Sequence, residues 1–268
     1  MDAPTPCKPR VAVHKFSSCD GCQLAFLNQG AELLQLATLV EIVHFAQAGF
    51  VAPDATVDMA FVEGSISTPE DEKRIRLVRK NSRYLVAIGA CATAGGLQAL
   101  RNRAPGGAGW IAEIYPQPGH IHALPASTAV SAHVPVDAEL WGCPVNGRQV
   151  LDAVRGRLFG VTPVVETDKV CLECKRQQGV CVLVAHGAPC MGPVTRTGCG
   201  ALCPRLHRDC YACYGPAENA NTQALGRRLA DLGLSPAAIA RRFLSINNAA
   251  TAFRDAGDRW QEEDHGDA

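Results

Sequence analysis

Thirteen cysteines in 268 residues limit what this chain can be more than any other feature of its sequence. An odd number of thiols cannot all pair as disulfides. The first thirty residues, beginning MDAPTPCKPRVAVHKF, hold neither the apolar stretch of a secretory leader nor a twin-arginine pair, and no uncharged apolar run reaches membrane-spanning length. The expected location is therefore cytoplasmic, where thiols at short fixed spacings hold metal rather than each other. Lys plus Arg balances Asp plus Glu at 26 each, which removes the electrostatic case for a nucleic-acid or anionic-membrane partner.

The cysteines fall into two populations. Cys19, Cys22, Cys91 and Cys143 are spread through the first 150 residues, whereas Cys171, Cys174, Cys181, Cys190, Cys199, Cys203, Cys210 and Cys213 crowd into 43 positions, and Cys7 is left over. The change of density places a domain boundary near residue 160, after a helix-like stretch from Asn146 to Leu158, and divides the chain into 1–160 and 161–268. In the first part, Arg10 to Phe16, Leu39 to Phe45, Met59 to Val62, Tyr84 to Ile88 and Ala138 to Trp141 are short apolar runs that read as strands. Gln23 to Leu36 puts Leu24, Leu27, Ala31 and Leu34 on one helical face, and Pro69 to Lys80 opens on a Thr68-Pro69 cap. The alternation predicts an α/β fold, a flavodoxin-like doubly wound parallel sheet, followed by a small, loop-rich cysteine domain.

Folds of this class bind ligands at the carboxyl ends of their strands. Cys19 and Cys22, in SSCDGC, follow the first strand; Cys91, in GACATAGG, follows Tyr84 to Ile88; Cys143, in LWGCP, follows the last run. Four thiols from three strand ends suit a tetrahedral zinc site or an iron-sulfur cluster, with Gly21, Gly89 and Gly142 letting backbone approach inorganic sulfide. Two blander readings compete: each cysteine taken alone fits a buried core thiol, and GACATAGG resembles a phosphate loop but lacks the Lys-Ser/Thr pair and the G-x-G-x-x-G spacing.

The remaining eight cysteines follow C-x2-C-x6-C-x8-C-x8-C-x3-C-x6-C-x2-C, enough for two more sites. Few apolar side chains lie between them apart from Val180 to Ala185, so metal-thiolate bonds are expected to supply most of this region's stability. Leu225, Leu229, Leu232, Ile239, Phe243 and Leu244 mark one or two covering helices beyond. Zinc satisfies the same count of ligands, but only Cys171-Cys174 and Cys210-Cys213 have the compact pairing usual in zinc sites, and the singly strung ligands favour iron-sulfur. Three clusters in one chain imply an electron wire.

The combination of SSCDGCQ, VEG at Val62 to Gly64, GACATAGG, ELWGCP, GAPCMGPVTRTGCGALCP and CYAC resembles the small, electron-transferring subunit of cytosolic NiFe hydrogenases, the branch with NAD(P)-linked, sulfhydrogenase-type and methanogen non-membrane enzymes. It spans roughly residues 10 to 216; the respiratory complex I subunit of this type shares only the N-terminal fold. The resemblance implies that Cys19, Cys22, Cys91 and Cys143 hold a proximal 4Fe-4S cluster, Cys199, Cys203, Cys210 and Cys213 a medial one, and Cys171, Cys174, Cys181 and Cys190 a distal one. Cys171 stands where many periplasmic relatives have histidine, and Cys203 near a position where they often have proline. Both departures add a thiolate and point to low cluster potentials.

The resemblance further implies a large-subunit partner that holds the NiFe centre, facing Cys19, Cys22 and Cys143. It also implies an onward flavin and iron-sulfur diaphorase or ferredoxin-type partner facing Cys171 to Cys190. On this reading the chain is part of a hydrogenase without holding its catalytic metals. A related complex reducing polysulfide and a zinc-stabilised scaffold remain as alternatives. Lys169, Lys175, Arg176, Arg196, Arg205 and Arg208, against Glu166, Asp168, Glu173 and Asp209, suit either balance of cluster charge or an ordinary solvated face. Glu63 reads as a family carboxylate near a subunit interface, or as an ordinary N-cap or exposed strand-end carboxylate, Asp20 as an acceptor of backbone N–H groups in a turn, His120 and His122 as surface residues, and Cys7 as a free thiol.

Overall fold

The computed structural model describes residues 8–104, 109–161 and 167–266. Cys7 and most of the expected boundary segment, 162–166, lie outside the described residues. Five parallel strands form one sheet in the order β2-β1-β3-β4-β5, with β1 at Arg10–Lys15, β2 at Glu41–Phe45, β3 at Val57–Glu63, β4 at Ser82–Ile88 and β5 at Ala138–Leu140. This is the doubly wound order expected from the sequence, and alternate side chains explain its two covered faces. Val11, Val13, Met59, Phe61, Val86 and Ile88 point into one core, and Ala12, Ala60, Val62, Leu85 and Ala87 into the other.

Helices α1 (Gly21–Leu27), α2 (Ala31–Leu39) and α6 (Gly147–Leu158) lie over the first face and α3 (Pro69–Lys80) over the second. Local chemistry sets their ends. Thr68 and Asp71 form a reciprocal capping box at 3.1 Å each way before α3, and the Asn146 side chain accepts the Arg148 N–H at 3.0 Å to start α6. The single helix expected from Gln23 to Leu36 is instead two. Asn28 ends α1, Gly30 turns the chain at φ +53°, and Leu24 and Leu34, expected on a shared inner face, are exposed. Two short helices, α4 (Gly89–Ala94) and α5 (Trp110–Ile114), follow β4.

Beyond residue 166 the short helices α7 (Val170–Arg176), α8 (Val182–Ala185) and α9 (Leu202–Arg205) carry most of the cysteines, and three longer ones follow rather than one or two: α10 (Thr222–Asp231), α11 (Pro236–Phe243) and α12 (Thr251–Gly266). The cysteine stretch has burial beside the expected metal-thiolate bonds to support it. Val182, Cys190, Met191, Val194, Cys210 and Ala212 share a core with Leu225, Leu229, Ile239, Phe243 and Phe253. Each large side chain buried there contributes about 1.5–3 kcal/mol, so the cysteine loops rest on an apolar platform that lies later in the sequence.

The two parts of the chain also meet. A Cβ on Gly215 would lie 2.2 Å from the Trp141 ring just beyond β5, the Arg196 guanidinium sits 5.1 Å from that ring's centre, and the Asn146 side-chain amide donates to the Gly198 carbonyl at 2.9 Å. These contacts bring the cysteine loops to the carboxyl end of the sheet.

Candidate metal centres

The three expected sets of four thiols can be traced through the fold. The first collects Cys19 from the loop after β1, Cys22 from α1, Cys91 from α4 and Cys143 from just beyond β5. Burial pushes the Cys91 thiol up to about 12, with the charges of Cys143 and Cys19 adding to the effect. Burial likewise raises Cys22, whose further causes are Glu63, Cys91 and Cys143, and raises Cys143 with Cys19 and Glu63. Every member of the group thus acts on another. The backbone is cut back around the sulfurs: a Cβ on Gly89, where φ is +82°, would stand 2.3 Å from the Cys22 sulfur, and one on Gly96 would stand 2.5 Å from that of Cys91. The Val145 N–H points at the Cys22 sulfur from 3.5 Å.

The second group, Cys171, Cys174, Cys181 and Cys190, lines one cavity of about 90 Å³ with Gly179 and Gly192 in its wall. Burial lifts Cys171 to about 11, followed by the charges of Cys190, Cys181 and Cys174. The third comprises Cys199, Cys203, Cys210 and Cys213. Burial takes Cys213 up to about 12, followed by Cys199, Cys143 and Cys203, while Cys210 is raised by its own burial and by Cys190 and Cys213.

The third group touches both others. Cys213 is influenced by Cys143 and accepts a hydrogen bond from its backbone N–H, and the Cys210 N–H donates to the Cys190 sulfur at 3.3 Å. The three groups therefore follow one another through the molecule, with the third in the middle. By contrast, a surface cleft of about 670 Å³ along the edge of β5 is lined by none of the cysteines.

Two carboxylates organise the backbone around the thiols. Glu63 ends β3 only 2% exposed and accepts the Cys22 N–H at 3.0 Å, the Gln23 N–H at 3.2 Å and the Gln23 side-chain amide at 3.0 Å. It anchors the first turn of α1, which corrects the reading as an exposed strand end. Glu173, inside the Cys171-Cys174 pair, accepts the Gly198 and Ala201 N–H groups at 2.8 and 3.1 Å and lies 3.9 Å from the Cys199 sulfur. Its position ties the second group to the third. Asp20, expected to take backbone N–H groups, accepts from the side chains of Lys15, Gln47 and Ser18 instead. His120 and His122 are exposed.

Thiols gathered beside glycine-lined space, with only Cys22, Cys190 and Cys210 fully buried, are poorly explained as simple packing, and their donor chemistry suits iron or zinc. A scan against family models matches residues 19–156 to the family described as NADH ubiquinone oxidoreductase, 20 Kd subunit. Sulfhydrogenase 2 subunit delta of Pyrococcus furiosus is 33% identical over 81% of this chain and 90% of its own length. A subunit of the vhu F420-non-reducing hydrogenase of Methanocaldococcus jannaschii is 27% identical over 78% of this chain and 82% of its own. Among solved structures, a chain of an NAD+-reducing NiFe-hydrogenase in the H2-reduced state superposes with a TM-score of 0.53 at 26% identity, covering 59% of this chain and 94% of that one.

The fold and these likenesses define a class, the NiFe hydrogenase small subunits with their complex I kin. Within it, this chain belongs to the small-subunit family whose members include the sulfhydrogenase delta subunit and its counterparts in F420-non-reducing hydrogenases, and it is a hydrogenase subunit. Among the described residues no helix is long and apolar enough to cross a membrane.

Proposed function

We propose that this chain is the electron-relay subunit of a cytoplasmic NiFe hydrogenase, with 4Fe-4S clusters held by Cys19, Cys22, Cys91 and Cys143 (proximal), by Cys199, Cys203, Cys210 and Cys213 (medial), and by Cys171, Cys174, Cys181 and Cys190 (distal). One observation carries the reading: the medial thiols meet the proximal set at Cys143 and Cys213 and the distal set at Cys190 and Cys210, which is the contiguity that stepwise electron transfer needs. Bound clusters would supply one-electron redox chemistry. The chain's own residues fix the thiols, through Glu63 on the first turn of α1 and Glu173 on the Cys199 loop.

Clusters are proposed over zinc because only Cys171-Cys174 and Cys210-Cys213 have the compact pairing usual in zinc sites. On this proposal the Cys19, Cys22 and Cys143 side faces a large subunit holding the NiFe centre, and the Cys171 to Cys190 side faces the onward partner. The onward partner is proposed to be flavin-containing and NAD(P)-linked, the second of which fits the NAD+-reducing hydrogenase among the similar structures. Anaerobic purification with the large subunit, followed by iron and acid-labile sulfide analysis and EPR spin counting, tests the reading. About twelve irons and twelve sulfides per chain, with hydrogen-dependent reduction of a dye, are expected; zinc without sulfide would overturn it.

A further inference from the structure

Of the four tyrosines Tyr214 alone is buried, at 5% exposed, and it follows directly on Cys213. Its ring is seated between two glycines, each next to a cysteine of a different set. A Cβ on Gly142, beside Cys143 of the proximal set, would stand 3.0 Å from the ring carbon that bears the hydroxyl, and one on Gly198, beside Cys199 of the medial set, would stand 2.8 Å from the ring's edge. With φ at +147° and +127°, both positions hold a backbone that favours glycine. Two stretches of chain are thus stripped of side chain to admit one phenol at the junction of the two sets.

The hydroxyl is the part that packing leaves unexplained. Tyr211, three residues earlier, is exposed and its hydroxyl accepts from Arg208 at 3.3 Å, whereas the Tyr214 hydroxyl makes no hydrogen bond to any described residue. Buried phenols keep a partner as a rule, and phenylalanine would fill the same seat without stranding a polar group. Burial, followed by the charges of Cys199, Cys213, Glu173 and Cys22, holds the phenol protonated. Of these neighbours Glu173 already takes the Gly198 and Ala201 N–H groups, and the others are sulfurs. We propose that the Tyr214 hydroxyl donates a hydrogen bond to sulfur at the medial site and so raises the potential of the centre held there. The inference rests on the cluster reading. Such a bond favours the reduced, more negative state of a cluster, and it involves no transfer of the proton.

Tyr214→Phe in the anaerobically purified complex tests this, because it leaves the ring in its seat and removes only the hydroxyl. Redox titration followed by EPR should show the medial midpoint fall, its one-electron equilibrium shifting about tenfold toward the oxidised form, or about 59 mV, with the distal midpoint and the iron content unchanged. In deuterated buffer, electron-nuclear double resonance should find an exchangeable deuteron coupled to the medial centre of the unmodified complex and absent from Y214F. A medial midpoint that ignores the substitution would overturn the proposal and leave Tyr214 as a wedge, and a shift confined to the proximal centre would overturn the assignment to the medial one. Lack of the deuteron signal in the unmodified complex would overturn it whatever the variant does. Failure of the cluster reading is seen separately, as missing iron and sulfide in the unmodified complex, and sinks both; an unmoved midpoint with iron and sulfide intact sinks this inference alone.

Discussion

At the scale of single residues, the buried polar groups are the part of this chain that its sequence conceals. A carboxylate such as Glu63 lies forty residues or more from the N–H groups it accepts at Cys22 and Gln23, and no local pattern announces such a partner. The thiols were legible because their spacing is itself the signal. His14 shows the same concealment. It sits in β1 only 3% exposed, its ring centre 4.7 Å from that of His44, whose Nδ1 accepts the Ala52 N–H. Burial, then His44 and Arg74, lower His14 to about 3, and His44 is lowered by burial and Arg74 against a smaller opposing pull from Asp54. A group that resists protonation when folded but accepts it near pH 6.5 when unfolded favours unfolding in acid. Folding stability should therefore be full above about pH 6.5 and fall as the pH drops toward 3. Urea midpoints at pH 7.5 and 5.5 check this: the difference between them should shrink in His14→Phe, and an unchanged difference would count against the assignment.

At the scale of elements, strands and capped helices follow closely from the sequence, because alternation and caps are local. The pattern on Pro69–Lys80 matches α3 from end to end. The break between α1 and α2 was missed because leucine periodicity continued across Asn28 and Gly30, where the backbone turns. The β4-to-α4 turn is the element on which the proximal thiols depend most. Gly89 combines φ +82° with a sulfur at the place a Cβ would take, while Gly49 combines φ +87° with open space. Gly89→Ala and Gly49→Ala should therefore cost similar backbone strain, of order 1 kcal/mol or more. Only the first should lose iron, roughly a third of the total if one of three clusters fails to assemble. Iron analysis beside circular dichroism of both variants checks it, and equal iron in the two would remove the argument for the turn.

At the scale of the molecule, the last three helices hold the cysteine loops to the sheet. Asn247 and Asn248, each 2% exposed, are adjacent in sequence and divide their work. The Asn247 amide donates to the Ala212 carbonyl between Cys210 and Cys213 at 2.8 Å, and the Asn248 amide donates to the Gly96 carbonyl beyond Cys91 at 2.9 Å. Ion pairing of Arg103 with Asp258 adds a surface tie between the same two regions. Replacing both asparagines by alanine takes one donor each from the Ala212, Gly96 and Ser245 carbonyls, at about 0.5–1.5 kcal/mol per bond. The double variant should unfold at lower urea and show altered magnetic coupling between the proximal and medial centres in EPR. Unaltered coupling would reduce the pair to a packing role. Hydrophobic spacing made these helices visible, but not that they would reach back to grip the cysteine loops.

That reach has a consequence for how the protein is born. Synthesis runs from the amino end, so every cysteine is joined to the chain before Thr222–Asp231, Pro236–Phe243 and Thr251–Gly266. Cys190 and Cys210 share a core with those helices, so that core closes only after the helices have emerged. The carboxyl-terminal segment works as a latch on the cysteine loops.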